Sequence, residues 1–189
     1  MKLLFLDTET TGLDPLKNGV IQIAGIIEID GVVIQEFDYK VKPFQKDVVD
    51  LKALKVNGRT IDEIAGFSLP VDVYRDIMEI FTRHIDKYDK TDKFSLVGQN
   101  VHFDYDFLNE FFKKCGSPFL YAYIDYHMID VITATALFTI AGKMHLQNMK
   151  LKTVCDHFGI PLEAHDALED VRATRLVFHR YLEMIKCIP

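Results

Sequence analysis

Residues 20–41 read VIQIAGIIEIDGVVIQEFDYKV, and this stretch sets the sheet around which the rest of the chain is arranged. β-Branched and aromatic residues dominate both halves, as they do in strands. The Asp30-Gly31 pair between the halves is typical of a two-residue turn joining antiparallel strands. We therefore predict strands over 20–29 and 32–41 connected as a hairpin, and the apolar run before them predicts a further strand over 2–7.

After the hairpin, the spacing of apolar residues changes from strand period to helix period. Pro70 indicates the start of a helix, and the short apolar run over 94–97 predicts a fourth strand. The remaining predicted elements are helices over 102–114, 128–141, 148–158 and 166–186 and a weaker fifth strand around 120–125. This order predicts an α/β fold with a central mixed five-stranded sheet flanked by helices.

Length and composition bound the class of protein. A chain of 189 residues, 49% of them apolar, is enough for one well-filled core, so we predict a single domain over 1–189. Three cysteines without CxxC spacing indicate neither a disulfide framework nor a zinc ribbon, and favour a reducing compartment. No stretch resembles a secretory signal or reaches membrane-spanning length. We expect a soluble cytoplasmic protein with no membrane association.

The net charge of −6 argues against a protein that coats duplex nucleic acid, because basic surfaces supply that kind of affinity. It does not exclude an enzyme that holds a chain end briefly. Such an enzyme needs few phosphate contacts, and bound divalent cations would add local positive charge that the sequence count omits.

Two acidic residues close the first predicted strand. Asp7 and Glu9 lie in the segment LDTETTGLDP, directly after the apolar run. Since strand residues i and i+2 point to the same face of a sheet, their carboxylates are expected to converge.

Two later helices supply further acids. Asp104 lies in the opening turn of the helix predicted over 102–114, at the start of its inward face. Asp170 lies one turn inside the last helix, which an acidic capping box of Asp166 and Glu169 would start at about residue 167. His165 then falls just outside that helix, where it can turn toward the same site.

Four neighbouring carboxylates need compensation. Two unit charges about 4 Å apart repel by roughly 4 kcal/mol at an effective dielectric of 20, so the group would either hold protons or collect cations. Oxygen ligands favour Mg²⁺ or Mn²⁺, and two such ions about 4 Å apart can drive in-line displacement at phosphorus. A histidine with a pKa of about 6.5 can take the proton from the attacking water. The predicted reaction is phosphodiester hydrolysis with His165 as the general base.

The chain resembles the DnaQ-like, DEDDh-type 3′-to-5′ exonucleases of the ribonuclease H-like superfamily. Three segments carry the resemblance, in the family's order: the run from Asp7 to Gly12, the run from Asn100 to Asp104 with Phe107, and HDALED over 165–170. Each alone has an ordinary explanation as a turn or a helix cap, but their combination favours the family strongly.

The resemblance implies roles for individual residues. Asp7, Glu9, Asp104 and Asp170 would hold two divalent cations, Mg²⁺ or Mn²⁺, and His165 would act as the general base. The segment of Thr10, Thr11, Gly12 and Leu13 would line the pocket for the terminal nucleotide, with Leu13 wedged against a base and Phe107 nearby.

We therefore expect an exonuclease that removes nucleoside 5′-monophosphates from nucleic acid 3′ ends, with DNA slightly favoured. A proofreading subunit, a stand-alone DNA exonuclease and an RNA-trimming enzyme all fit. A polymerase or another replication or repair protein is an open partner, and the oligomeric state stays open. Because the chain ends soon after the last predicted helix, we expect a stand-alone chain or a separate subunit. Two alternatives remain: an end-binding module without turnover, and a structural protein that binds a stabilising cation.

Overall fold

The structure is a computed structural model that describes residues 1–162 and 166–187. Its sheet has five strands in the order β3-β2-β1-β4-β5. The strands are β1 (Lys2–Thr10), β2 (Val20–Ile29), β3 (Val32–Lys40), β4 (Ser95–Gly98) and β5 (Ile129–Asp130). β2 pairs antiparallel with both β1 and β3, whereas β4 is parallel to β1 and β5 is parallel to β4. The predicted mixed five-stranded α/β sheet is confirmed.

Helices follow the first three strands and cover both faces of the sheet. They are α1 (Leu51–Val56), α2 (Ile61–Ala65), α3 (Pro70–His84), α4 (Val101–Lys114), α5 (Val131–Ile140), α6 (Leu151–Phe158) and α7 (Ala167–Lys186). The predicted start of a helix at Pro70 is confirmed. Proline suits this position because the N–H group that it lacks would have no partner in the first turn. No helix in the described ranges is both long enough and apolar enough to cross a membrane.

The hairpin between β2 and β3 forms where it was predicted. Asp30 and Gly31 have φ values of 51° and 83°, as a turn with two left-handed central residues requires. Pairing of Ile29 with Val32 closes the turn directly. This local geometry sets the pairing next to the turn, and an irregularity between Ile27 and Glu28 shifts the register in the rest of the β2–β3 pair.

The fifth strand was predicted around 120–125, and that position is wrong. The structure has a short 3₁₀ helix over Leu120–Ala122 and one isolated bridge between Phe94 and Ile124, while β5 is Ile129–Asp130. Leu120, Tyr123 and Ile124 are apolar because they pack into the core. The true strand has two residues, too few for an alternating pattern to show.

β1 is the central strand and contributes to both halves of the core. Leu4 and Leu6 pack into the cluster that includes α3 and α4. Leu3 and Phe5 pack into the cluster that includes α5, α6 and α7. Apolar residues thus occupy both faces of β1 up to Leu6, and the carboxylates begin immediately afterwards.

Candidate functional site

The candidate site lies at the carboxyl end of β1. Asp7 and Glu9 alternate with Thr8 along the strand, and Asp170 comes from the first turn of α7, which packs against this strand. Carboxylate oxygens of Asp7, Glu9 and Asp170 all lie within 4.8 Å of one another. The strand and the helix thus bring three of the four predicted acids together.

The fourth predicted acid, Asp104, reaches β1 from α4. Its side chain is 3% exposed, and its Oδ1 accepts hydrogen bonds from the Thr8 backbone N–H and the Thr8 hydroxyl, both at 2.8 Å. Its charge raises the pKa of Asp7, second only to burial. Asp104 therefore lies next to Asp7, Glu9 and Asp170, and its Oδ1 is hydrogen-bonded to Thr8.

The site carboxylates hold protons more tightly than ordinary acids. Burial raises the pKa of Glu9 to about 7, and the charges of Asp170 and Asp166 add to this effect. Burial also raises the pKa of Asp104 to about 7, although the hydrogen bonds from Thr8 oppose the shift. The pKa of Asp7 is raised well above its usual range by burial, then by Asp104 and Asp170.

These features fit a site for hard divalent cations. The donors are carboxylate oxygens, which Mg²⁺ and Mn²⁺ prefer. Like charges confined in a partly buried group favour either protonation or cation binding. Because the pKa values of Glu9 and Asp104 are raised to about 7, protons and cations compete for these carboxylates near physiological pH.

The amino end of α7 is anchored to the sheet by a second polar group. The Asp166 carboxylate caps the helix by accepting from the N–H groups of Leu168 and Glu169 at 3.2 and 3.4 Å. Gln22 Nε2 donates to Asp166 at 3.4 Å and to Asp38 at 2.8 Å. The helix begins at Ala167 as predicted, whereas His165, the predicted general base, lies outside the described residues.

Half of the predicted capping box is present. Asp166 caps the helix, but the Glu169 carboxylate accepts a hydrogen bond from Arg172 Nη1 at 2.7 Å. Arg172 also pairs with Glu36 of β3. Glu169 thus pairs with Arg172 and not with the backbone of Asp166, since residues three apart on a helix are neighbours.

The segment after β1 is held by its own hydrogen bonds. The Thr11 hydroxyl donates to the Val48 carbonyl at 2.7 Å and accepts from the Gly19 N–H at 2.8 Å. A Cβ at Gly12 would lie 2.4 Å from the Asn18 side chain, so this position needs glycine. The structure therefore gives Thr11 and Gly12 packing roles, and their contact with a substrate stays a prediction.

The other predicted substrate residues divide into buried and exposed positions. The Thr10 hydroxyl donates to the Gly12 carbonyl at 2.7 Å, and Phe107 is 1% exposed and packs against Phe103. Such burial favours a packing role for Phe107 over the predicted contact with the terminal nucleotide. Leu13 is 85% exposed, so its side chain is available to a ligand.

Sequence reasoning missed two residues that position the acids. Thr8 donates two hydrogen bonds to Asp104. Strand alternation already predicts that Thr8 lies on the opposite face of β1 from Asp7. Gln22 is, like Glu28, a buried polar residue within the largely apolar strand β2, and such a residue needs hydrogen-bond partners. Both signals were present in the sequence.

Comparison with known proteins gives a family match over most of the chain. A family model described as Exonuclease (RNase_T) matches residues 4–178. The chain is 28% identical over 185 residues to DNA polymerase III PolC-type of Thermotoga petrophila, covering 97% of this chain and 12% of that protein. It is 25% identical over 194 residues to ribonuclease T of Actinobacillus pleuropneumoniae, covering 97% of this chain and 84% of that protein.

Solved structures show the same fold. Escherichia coli exonuclease I in complex with a dT13 oligonucleotide superposes with a TM-score of 0.75 at 21% identity, covering 96% of this chain and 40% of that chain. The zinc-bound form of its complex with single-stranded DNA gives a TM-score of 0.78 at 20% identity, covering 98% of this chain and 41% of that chain. The chain thus spans less than half of these proteins and about an eighth of the polymerase.

Proposed function

The chain belongs to the exonuclease family whose model matches residues 4–178, and from this premise we propose that it is a metal-dependent 3′-to-5′ exonuclease. It hydrolyses the terminal phosphodiester of a nucleic acid and releases nucleoside 5′-monophosphates. The observation that carries the proposal is the convergence of Asp7, Glu9 and Asp170 within 4.8 Å, with Asp104 buried beside them.

The four carboxylates would hold two divalent cations, Mg²⁺ or Mn²⁺. When bound, such cations lower the pKa of water, orient the phosphate and stabilise the leaving oxygen. Asp7, Glu9 and Asp170 present their oxygens together, and Thr8 orients Asp104 by two hydrogen bonds. The protein thus supplies a preformed set of hard ligands.

His165 is the proposed general base. It is adjacent in sequence to Asp166, which caps α7 and contacts Gln22 of β2. A neutral imidazole with a pKa of about 6.5 can accept a proton near neutral pH. Its proposed task is to take the proton from the attacking water.

The proposed substrate is a nucleic acid 3′ end, with DNA slightly favoured over RNA. DNA polymerase III and the DNA complexes of exonuclease I support the first choice, whereas ribonuclease T keeps RNA trimming open. Leu13, which is exposed and follows Glu9 by four residues, is proposed to wedge against the terminal base. Association with a polymerase or a repair protein is a further proposal, suggested by the polymerase relatives.

A gel assay tests the function directly. DNA and RNA oligonucleotides labelled at the 5′ or the 3′ end are incubated with the protein in Mg²⁺, Mn²⁺ or EDTA. We expect stepwise shortening from the 3′ end, abolished by EDTA, by Asp7→Asn and by His165→Ala. The control Asp76→Asn neutralises an exposed carboxylate on α3 and should keep full activity.

Other outcomes have definite meanings. Internal fragments or activity in EDTA would reject the proposal. Binding of 3′ ends without any shortening would favour an end-binding module, and metal-dependent melting without either would favour a structural cation site.

A further inference from the structure

The exposed aromatic residues of the described chain all lie in two short segments. The sequence has 8 tyrosines and 14 phenylalanines, and most of their rings are buried or half-buried. Among the described residues, four aromatic side chains are between 54% and 85% exposed: Tyr88, Phe119, Tyr121 and Tyr126. We call these four residues the distal aromatic surface. Single exposed apolar residues are common on proteins, but a concentration of them marks a binding surface.

The two segments meet beside β4. One lies between α3 and β4, and the other lies before β5. Lys93 Nζ in the first segment donates to the Tyr121 carbonyl in the second at 2.7 Å. An isolated parallel bridge pairs Phe94 with Ile124. The exposed rings of both segments therefore belong to one surface.

The turn that carries Tyr88 is fixed by two aspartates. Asp86 Oδ1 accepts from the Tyr88 N–H at 3.0 Å, and Asp92 Oδ2 accepts from the Asp86 N–H at 2.9 Å. Asp92 also pairs with Lys2 at the start of β1. Tyr88 thus projects from a turn that is held against the amino end of the central strand.

The distal aromatic surface lies at the opposite end of the sheet from the carboxylates. β1, β4 and β5 are parallel, and the two segments lie before β4 and β5, whereas the candidate site lies at the carboxyl end of β1. Leu3 pairs with Ser95 at the start of β4, and Asp7 follows Leu3 by a rise of about 13 Å along the strand. The rings are therefore no part of the site, although a strand of several nucleotides can reach both.

The carboxylates of the two segments have partners within the chain, whereas two lysines do not. Asp89, for example, accepts from the N–H and the hydroxyl of Thr91 at 2.8 and 2.7 Å. In the part of the chain that the structure describes, Lys87 and Lys90 have no carboxylate within 4 Å, and Lys87 Nζ lies 5.2 Å from the centre of the Tyr88 ring. These ammonium groups can meet phosphates, but the nearby aspartates limit the attraction, so stacking has to supply most of the affinity.

Single-stranded nucleic acid fits this surface better than a protein partner does. In the two segments every exposed large apolar residue is aromatic, and the exposed leucine, isoleucine and valine side chains lie elsewhere. A stable protein contact packs about 800 Å² of continuous surface on each partner. Here separate rings project from turns, with Tyr88 85% and Tyr126 78% exposed. Such rings offer faces on which bases of any sequence can stack.

We propose that the distal aromatic surface binds single-stranded nucleic acid by stacking bases on Tyr88, Tyr121 and Tyr126. The choice of occupant rests on the proposed exonuclease function, because the strand held here is the part of the substrate that lies away from the 3′ end. This part does not react, so its binding should lower KM for long strands and leave kcat unchanged.

The first experiment measures binding without turnover. Fluorescence anisotropy follows a labelled oligothymidylate of about 30 nucleotides in EDTA, where the cation-free carboxylates repel phosphates and binding reports on the distal aromatic surface. We expect Tyr88→Ala, Tyr121→Ala and Tyr126→Ala each to weaken binding about tenfold. The salt dependence should correspond to about two phosphate contacts.

Matched substitutions at the same positions separate stacking from bulk. Tyr88→Phe and Tyr126→Phe keep the ring and should bind as wild type does, whereas Tyr88→Leu and Tyr126→Leu keep an apolar side chain without a ring and should bind as the alanine variants do. Leu137→Ala removes an exposed apolar side chain of α5 and should change nothing. Thermal melts confirm that each variant is folded.

The second experiment uses the length of the substrate in Mg²⁺. Oligonucleotides of about 30 and about 6 nucleotides are compared, since only the longer one can reach both the catalytic site and the distal aromatic surface. We expect each alanine variant to raise KM for the long substrate about tenfold with kcat within about twofold. Both constants for the short substrate should match those of wild type.

Three results would overturn the proposal. Binding in EDTA that all three alanine variants leave unchanged would assign the rings to a contact with another protein. Leucine variants that bind as wild type does would exclude stacking, and equal increases in KM for both lengths would place the effect at the catalytic site. If wild type shortens no oligonucleotide, the exonuclease proposal fails, while the binding comparison in EDTA still decides the function of this surface.

Discussion

Glu9 makes the stability of the cation-free protein depend on pH. Its pKa rises from an ordinary 4.5 to about 7 in the folded protein, so folding favours the protonated form. The stability present below about pH 4.5 is therefore lost as pH rises through 7, by about 3 kcal/mol for this residue. We predict that the melting temperature in EDTA falls between about pH 5 and about pH 8, and that Glu9→Gln reduces the fall.

The control for this prediction is Glu183→Gln, which neutralises an exposed glutamate of α7 and should leave the pH profile as in wild type. Mg²⁺ should raise the melting temperature of wild type at about pH 8 and have little effect at about pH 5, because protons compete for the same oxygens. A melting temperature in EDTA that stays level or increases over this range would contradict the assigned direction of the pKa shift.

Thr8 orients Asp104 and should therefore influence cation affinity. Thr8→Val keeps the backbone donor and removes the hydroxyl donor to Asp104 Oδ1, so the pKa of Asp104 rises further. We predict about tenfold weaker Mg²⁺ binding, as is typical when a hydrogen bond to a ligand is lost, measured by calorimetry. Thr135→Val removes a buried hydroxyl bonded to Tyr181 and should lower stability by about 1 kcal/mol without changing Mg²⁺ affinity. Equal Mg²⁺ affinities for wild type and Thr8→Val would refute the role.

α7 is joined to β2 by a buried ionic group as well as by apolar packing. Arg175 and His179 both contact Glu28 Oε2, at 2.7 and 2.8 Å, and the Glu28 side chain is 3% exposed. Arg175→Met leaves this carboxylate with only part of its compensation. We predict a loss of about 3 kcal/mol in the free energy of unfolding, measured by chemical denaturation.

Arg180 on the same helix is the matched control. Its pair with Glu183 is exposed, so Arg180→Met should change stability by no more than about 0.5 kcal/mol. Similar losses for the two variants would show that burial of Glu28 does not set the strength of its pairing.

Elements with strong local signals were predictable from sequence, and elements defined by distant contacts were not. The Asp30-Gly31 turn follows from residues that tolerate positive φ, and the start of α3 follows from Pro70. β5 has two residues and exists because it pairs with β4. The neighbouring segment around Ile124 looked like a strand because it is apolar for packing.

The same distinction holds for the site. Strand alternation predicted that Asp7 and Glu9 would converge, and the position of Asp170 in α7 followed from the cap at Asp166. The aromatic residues of α4 recur at helical spacing, which favours packing in the core, and Phe107 is buried as this spacing indicates. The predicted contact of Phe107 with substrate came only from the family resemblance.

The two halves of the core are coupled through the alternating residues of β1. Leu4 belongs to the half that includes α3 and α4, and Phe5, the next residue, belongs to the half that includes α7. Loss of packing in one half would disturb β1, and β1 also supplies residues to the other half. The site depends on both, because Asp104 comes from α4 and Asp170 from α7.

We therefore predict that residues 1–189 unfold as one cooperative unit in guanidinium chloride. The chain has 8 tyrosines and no tryptophan, so tyrosine fluorescence reports on tertiary packing. Tyr123 lies in one half of the core and Tyr181 in the other. Far-ultraviolet circular dichroism reports on the backbone. Leu4→Ala and Phe5→Ala should each destabilise by about 2–5 kcal/mol and shift the midpoints of both signals together. Two separated transitions, or a substitution that shifts only one signal, would show that the faces of the sheet unfold independently, because coincident probes are the test of a two-state process.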